Sequence, residues 1–391
     1  MFENLISERM DRLHTESAFQ ILARAKALEA QGRHIVHMEI GQPDFKTPQN
    51  IIDAAYKAMN DGFTAYTPTP GLPQARQAIA EYAARHKSIN TSADEVIIVP
   101  GGKPIIFYTM LMLVQPGDDV IYPNPSFPIY ESCINFAGGT PVPFALSAEN
   151  NFEIDIEAFK QLITPKTKLI VFNNPSNPTG GVYSRKNILA IADILRDRPD
   201  IFILSDEIYD RLVFDGTVFS IASLSEFKDR TIILDGFSKT YAMTGWRLGY
   251  GIMHPELVKR MDLLMVNSNS CAAAFSQIAA IEALTGPQDA VDEMKAAFRE
   301  RRDWLVEALN DIPELNCCMP KGAFYAFPNI SAFGISSSEF SSRLMEEFGV
   351  ATAAGTAFGK YGEGYIRLSY ANSLDNIKLA VERIAAFTKI L

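Results

Sequence analysis

The sequence predicts an α/β fold: a mostly parallel sheet covered by helices on both faces, followed by a smaller α+β unit. Three observations predict it. Five short runs, VIIV (96–99), DVIY (119–122), LIVF (169–172), IFIL (201–204) and TIIL (231–234), are apolar throughout instead of alternating with polar residues. Strands of that kind are buried on both faces, as in parallel sheets. The segments between them, such as KNILAIADILRDR (186–198), carry helical patterns, so right-handed crossovers are expected. After about residue 285 the texture changes to one long helical stretch, DAVDEMKAAFRERRDWLVEALN, and then to shorter strands such as GAFYAFP and YIRLSYA.

SAFQILARAKALEAQ (17–31) is a helix that stops at Gly32, a residue suited to the left-handed turn after a helix. HIVHMEIGQPDF reads as a short strand entering a turn. The run PIIFYTMLMLV (104–114) is a buried helix, since a bilayer needs about 20 such residues. LGYGIM, just after Arg247, is a further strand. If it runs antiparallel to the others, Arg247 lies at their carboxyl edge. The first 45 or so residues do not make a domain alone and are expected to pack on the last unit. The expected division is a large domain over 48–285 and a small one formed by 1–47 and 286–391.

Composition excludes several functions. The formal net charge of −10 over 391 residues argues against nucleic acid or an anionic membrane as the main partner. The four cysteines, Cys133, Cys271, Cys317 and Cys318, form no C-x-x-C pair, and with five histidines and no H-E-x-x-H no metal site is expected. Reduced thiols in a cytoplasmic protein are the expectation. The N-terminal MFENLISERMDRLH lacks the apolar core of a signal peptide.

The residues just beyond each apolar run carry the chemistry. PGGKP (100–104), PNPSFPIY (123–130), NNPSNPTGG (173–181), SDEIYD (205–210) and DGFSK (235–239) would all stand outside the carboxyl ends of the strands. Open α/β sheets bind their ligands there. Each cluster alone has two readings. PGGKP is a tight turn or a phosphate cradle at a helix N-terminus. Asp206 is an exposed strand end, or a carboxylate held to pair with a cationic ring nitrogen, with the Tyr209 phenol three residues on. Phe127 packs locally or stacks on a ring. Arg367, within YIRLSYA, is a structural salt bridge or the receptor of an anionic ligand. Lys239 at the sheet edge can act as a nucleophile toward an aldehyde, with Arg247 facing a phosphate.

SDEIY, SKTYAMTGWRLGY and NNPSNPTG, in this order and spacing, resemble the class I/II aminotransferases, fold-type-I enzymes dependent on pyridoxal 5'-phosphate (PLP) and similar to aspartate aminotransferase. The resemblance runs from IGQPDF (40–45) to YIRLSYA (365–371). It implies a three-layer αβα sandwich with a mostly parallel seven-stranded sheet, plus the small α+β domain. It implies that Lys239 forms the Schiff base and moves the proton, and that Asp206 keeps the ring nitrogen protonated. Tyr209 and Asn177 would bind the phenolic oxygen, and Phe127 would stack on the ring. Arg247, Ser238 and the backbone of Gly102 and Lys103 would hold the phosphate. Arg367 would clamp the substrate α-carboxylate, helped by Asn177 and Gly41. Tyr66 would reach the phosphate of a neighbouring subunit, implying a homodimer with shared sites.

Two departures stand out. Many relatives carry hydroxyl side chains where this chain has Lys103 and Gly236, and residues 266–275 hold no arginine of the kind dicarboxylate-specific relatives use. Lys103 is then the candidate for a distal cation. The implied reaction is ping-pong transamination between an L-amino acid, aspartate or a broader range, and 2-oxoglutarate or pyruvate. A C–S β-lyase or amino-acid oxidase would use the same Lys239 and Asp206. A sensor on the same fold would carry a basic DNA-binding extension.

Overall fold

The structure, a computed structural model, describes residues 6–13 and 17–391. In chain order the elements begin with α1 (Ser17–Glu29), β1 (Val36–His37), α2 (Gln49–Asn60), α3 (Pro73–His86), β2 (Val96–Val99), α4 (Lys103–Leu113) and β3 (Asp119–Asn124). Then come α5 (Ile129–Ala137), β4 (Thr140–Ala145), α6 (Ile156–Gln161), β5 (Thr167–Asn173), α7 (Arg185–Leu195), β6 (Phe202–Asp206), α8 (Ser225–Lys228) and β7 (Thr231–Gly236). The chain ends with β8 (Gly249–Ile252), α9 (Pro255–Val266), α10 (Ala274–Thr285), α11 (Asp289–Asn310), β9 (Tyr325–Ala326), α12 (Ser337–Phe348), β10 (Val350–Ala351), β11 (Ala353–Ala354), β12 (Ile366–Ser369) and α13 (Leu374–Thr388).

The central sheet has seven strands in the order β2-β8-β7-β6-β5-β3-β4. β8 is antiparallel to both neighbours, and the other pairings are parallel. All five apolar runs are strands of this sheet. Their side chains alternate between two helical layers, as the pleat requires. Ile97, Val120, Val171, Leu204 and Leu234 pack with α4, α5 and α9. Ile98 and Ile233 pack with α2, α3 and α10, while Ile121, Ile170 and Ile203 meet α6 and α7. The result is the three-layer sandwich that the resemblance implies.

β4 is hidden from the sequence for a physical reason. Its residues TPVPFA include two prolines, each lacking a ladder donor, and it lies at the sheet's edge where that is tolerated.

A separate core joins Val36 and Met38 to Phe298 and Leu305 of α11, Phe340 of α12, Ile366 and Leu368 of β12, and Ile384 and Phe387 of α13. β1 pairs with β10, and β12 lies between β11 and β9. No described helix is long and apolar enough to cross a membrane.

Candidate active site

The loops after β2, β3, β5, β6 and β7 converge, as their position at the carboxyl edge requires, on one cavity of about 540 Å³. Eleven of the twelve residues named from the sequence line it: Gly41, Gly102, Lys103, Phe127, Asn177, Asp206, Tyr209, Ser238, Lys239, Arg247 and Arg367. The twelfth, Tyr66, is outside this lining and 89% exposed.

Asp206 ends β6 and is buried. Its Oδ2 accepts from the Tyr130 hydroxyl at 2.6 Å, and its Oδ1 accepts from the Ile208 amide at 3.2 Å. Burial raises its pKa to about 6, against the lowering effect of those two hydrogen bonds and of the more distant Lys239 ammonium. Lys239 follows β7, and its Nζ donates to the Gly41 carbonyl at 2.5 Å. It stands 5.9 Å above the Tyr209 ring centre. The Tyr209 hydroxyl is 2.8 Å from that of Tyr325, and burial pushes the Tyr209 phenol well above its ordinary range.

Arg367 crosses the cavity from β12. Its guanidinium lies between the rings of Tyr325 (4.5 Å) and Phe358 (4.7 Å). Nη1 donates to Asn177 Oδ1 at 3.0 Å, and Nη2 donates to the Glu39 carbonyl. Nε has no partner among the described residues, nor does any carboxylate there pair with the group. The structural salt bridge is thus not what holds this buried cation among the described residues, and one of its donors stays open inside the cavity.

Arg247 is in left-handed backbone, φ 52°, and its Nη1 donates to Thr244 O at 2.8 Å. It lies against Gly101, where a Cβ would come within 2.2 Å of Nη2. The antiparallel course of β8 brings Arg247 to the same edge as Lys239. Gly236 faces Gly249 in the register of β7 and β8, and a Cβ there would sit 2.9 Å from the Gly249 Cα. That contact leaves no room at Gly236 for a hydroxyl side chain.

Sequence reasoning missed Tyr130, Tyr325, Phe358, Asn173 and the α1 residues Ala18 and Phe19, all of which line the cavity. Tyr130 stands within PNPSFPIY, three residues after Phe127, and Tyr325 within GAFYAFP. Nothing in the sequence points α1 toward the cavity.

The description "Aminotransferase class I and II" belongs to the family model that matches residues 33–384. The chain belongs to the class I and II aminotransferases. An aspartate aminotransferase from Bacillus sp. (strain YM-2) is 40% identical over 99% of this chain and 100% of its own length. An asparagine–oxo-acid transaminase from Streptococcus mutans is 39% identical over 98% of both chains. Among experimental structures, an aspartate aminotransferase from Thermus thermophilus with maleate superposes with a TM-score of 0.93, at 35% identity over 99% of both chains. The aminotransferase is therefore a transaminase with the fold of those enzymes, and its cavity is built from the segments that the resemblance singled out.

Proposed function

We propose that this aminotransferase uses pyridoxal 5'-phosphate to move the amino group of aspartate, or of a small range of L-amino acids, to 2-oxoglutarate or pyruvate in a ping-pong reaction. The observation that carries the reading is that three unlike groups meet in one cavity. They are the lysine Lys239, a buried carboxylate at Asp206, and a guanidinium at Arg367 with an open donor.

The residues fit the cofactor. Asp206 suits a pyridinium N–H, since a cation there lowers the cost of its buried charge. Tyr209 and Asn177 suit the phenolic oxygen, and Phe127 the ring face. Arg247, Ser238 and the backbone of Gly102 and Lys103, at the start of α4, suit the phosphate. When bound, PLP supplies an aldehyde for the amino nitrogen and a ring that takes up the electron pair of the Cα–H bond.

The chain's own side chains do the rest. Arg367 binds the α-carboxylate with its planar fork, and Asn177 fixes the fork's orientation through Nη1. Lys239 Nζ, released to the substrate, removes the Cα proton. The donor leaves as its 2-oxo acid before the acceptor binds. Lys103, in the same lining, with its Nζ 5.6 Å above the Phe127 ring, is the cation offered to a distal carboxylate.

A homodimer, a cytoplasmic location and division into a large domain (48–285) and a small one (1–47 and 286–391) belong to the same reading. Residues 1–5 and 14–16 of that small domain lie outside the described residues. Tyr66, offered to a partner's phosphate, is exposed together with Tyr56, Leu263 and Val266, apolar groups that an interface would cover. The second core, joining Val36 to α11 and α13, supports the small domain. Burial pushes the thiols of Cys133 and Cys317 up to about 12, which suits neutral cysteines of a reducing compartment.

The test is a half-reaction. PLP-loaded protein mixed with aspartate alone should lose its visible band stoichiometrically and release one equivalent of 2-oxo acid, and 2-oxoglutarate or pyruvate should restore the band. A band untouched by every amino acid, or a protein-linked band persisting in Lys239→Ala, defeats the proposal. Release of a thiol, ammonia and pyruvate from a cysteine conjugate without an acceptor would identify a lyase instead.

A further inference from the structure

Behind the cavity, on the other side of the same strand ends, one lysine is buried among three carboxylates. Lys87 follows the last residue of α3, and its side chain is 3% exposed. Its Nζ is 3.0 Å from Glu207 Oε2, 3.0 Å from Asp235 Oδ2 and in contact with Asp210 Oδ2.

The pleat explains the arrangement. Successive residues of a strand point to opposite faces. Asp206 faces the cavity, so Glu207 faces α3. Leu234 lines the cavity, so Asp235 faces α3. The acceptors are held from other directions as well. Glu207 Oε1 accepts from the hydroxyls of Ser205 (2.9 Å) and Ser220 (2.5 Å), and Asp235 accepts from the Tyr250 hydroxyl (2.9 Å) and the Gly236 amide (2.7 Å).

We propose that Lys87 is a positioning residue of the transamination: its buried ammonium ties the segment carrying Asp206 and Tyr209 to the segment carrying Lys239, and offsets the charge of three carboxylates next to them. Glu207 adjoins Asp206, Asp210 adjoins Tyr209, and Asp235 stands four residues before Lys239. The remaining titratable or charged groups facing the cluster are Tyr82 and His86 of α3, Arg211 after β6, Tyr241 after β7 and Tyr250 of β8. Burial pushes the three tyrosines up, so they stay neutral, and Tyr250 donates to Asp235. Burial works against the charge of Arg211, but Tyr82, Tyr241 and Asp210 together hold it up, so it remains a cation. Without Lys87, Arg211, on which Asp210 acts, would be the arginine or lysine left among the groups just named. Burial and Asp210 already push the Asp235 carboxyl up against the lowering effect of Lys87, so the surplus negative charge would be borne chiefly by Glu207 and Asp210 and would act on Asp206, whose carboxyl burial and Glu207 already raise, and on the nitrogen of Lys239.

This inference rests on the PLP reading, and the experiment separates the two. Each variant is loaded with PLP, and its visible spectrum is followed against pH. The wild-type midpoint reports proton loss at the lysine-bound nitrogen. Lys87→Met should move that midpoint up by about one pH unit, since lost positive charge favours the protonated form. Lys87→Arg, which keeps the charge, should return it to within a few tenths of wild type. Glu207→Gln, which removes one negative charge and leaves Lys87 in place, should move it down. Opposite signs for Lys87→Met and Glu207→Gln are what an electrostatic role requires and a packing defect does not produce. Should Lys87→Met fail to fold, Glu207→Gln decides: a downward shift upholds the proposal, and an unmoved midpoint overturns it. A folded Lys87→Met with the wild-type midpoint also overturns it. A wild-type protein with no visible band removes the cofactor reading and this inference with it.

Discussion

The Tyr130 hydroxyl donates to Asp206 Oδ2 at 2.6 Å, across the gap between α5 and the end of β6. Both groups are buried, and burial raises each in pKa. The phenol therefore keeps its proton and acts as a fixed donor. It steadies a carboxylate whose other oxygen is held by the Ile208 amide, so Asp206 is aimed before any ligand arrives.

Asp206 gives the first prediction, through pH. Its pKa is about 6 folded against 3.8 for the free side chain, so between those values the folded protein binds more protons than the unfolded one. Stability from this group is present below pH 4 and lost as pH rises to about 6. A shift near two units corresponds to about 3 kcal/mol. Cofactor-free wild type should therefore lose melting temperature relative to Asp206→Asn as pH goes from 4 to 7. A gap that stays constant with pH would show that the carboxyl is not raised.

Arg367 gives the second. Replacement by lysine keeps a charge but loses the planar fork, while Tyr325 and Phe358 still cover the site. Loss of a charge-assisted pair is worth about 2–3 kcal/mol, so kcat/KM for every amino donor should fall about 30- to 150-fold in Arg367→Lys. The melting temperature of the unliganded protein should barely move. Equal kinetics for the two proteins would remove Arg367 from substrate binding.

The legible part of this molecule is the part where one local rule decides. Continuous apolar runs identify five strands, and most of the cavity residues named from the sequence stand just beyond them. Asp206 and Lys239 are visible because they stand two and five residues beyond the ends of such runs. Tyr325 is not, because it comes from β9, two residues long, and its placement depends on how β12 and α11 pack around it. Lys87 is invisible for a similar reason. It looks like one more basic residue in AARHKS, and only the pairing of β6 with β7 brings Glu207 and Asp235 together beside it. The proline-bearing β4 is hidden because its local propensity opposes the strand that its edge position allows.

Lys103 gives the third prediction. An ammonium that meets a distal carboxylate contributes to dicarboxylic substrates and not to alanine. Lys103→Ser should lower kcat/KM for aspartate at least 10-fold more than for alanine, as expected for a hydrogen bond to a charged group worth about 1.5–3 kcal/mol. Salt should narrow the wild-type preference, since Lys103 is exposed to solvent. Parallel losses for both donors would assign Lys103 to the cofactor instead.

Gly249 gives the last. A Cβ there would lie 2.8 Å from the Gly101 carbonyl carbon and 2.8 Å from the Gly102 nitrogen, both backbone atoms that cannot rotate away. Gly249→Ala must therefore push β8 from the loop before α4, the loop offered to the phosphate. Overpacking of this kind costs about 1–3 kcal/mol, so the cofactor-free protein should melt several degrees lower. The displaced loop carries Gly101, against which Arg247 lies, so the loop and Arg247, the two groups proposed to hold the phosphate, move together. PLP affinity, measured by equilibrium dialysis, should fall by more than the stability loss explains, while Gly216→Ala, strained by its left-handed backbone (φ 92°) but outside the cavity lining, should lower the melting temperature and leave PLP affinity unchanged. Unchanged PLP binding in Gly249→Ala would separate this loop from the cofactor phosphate.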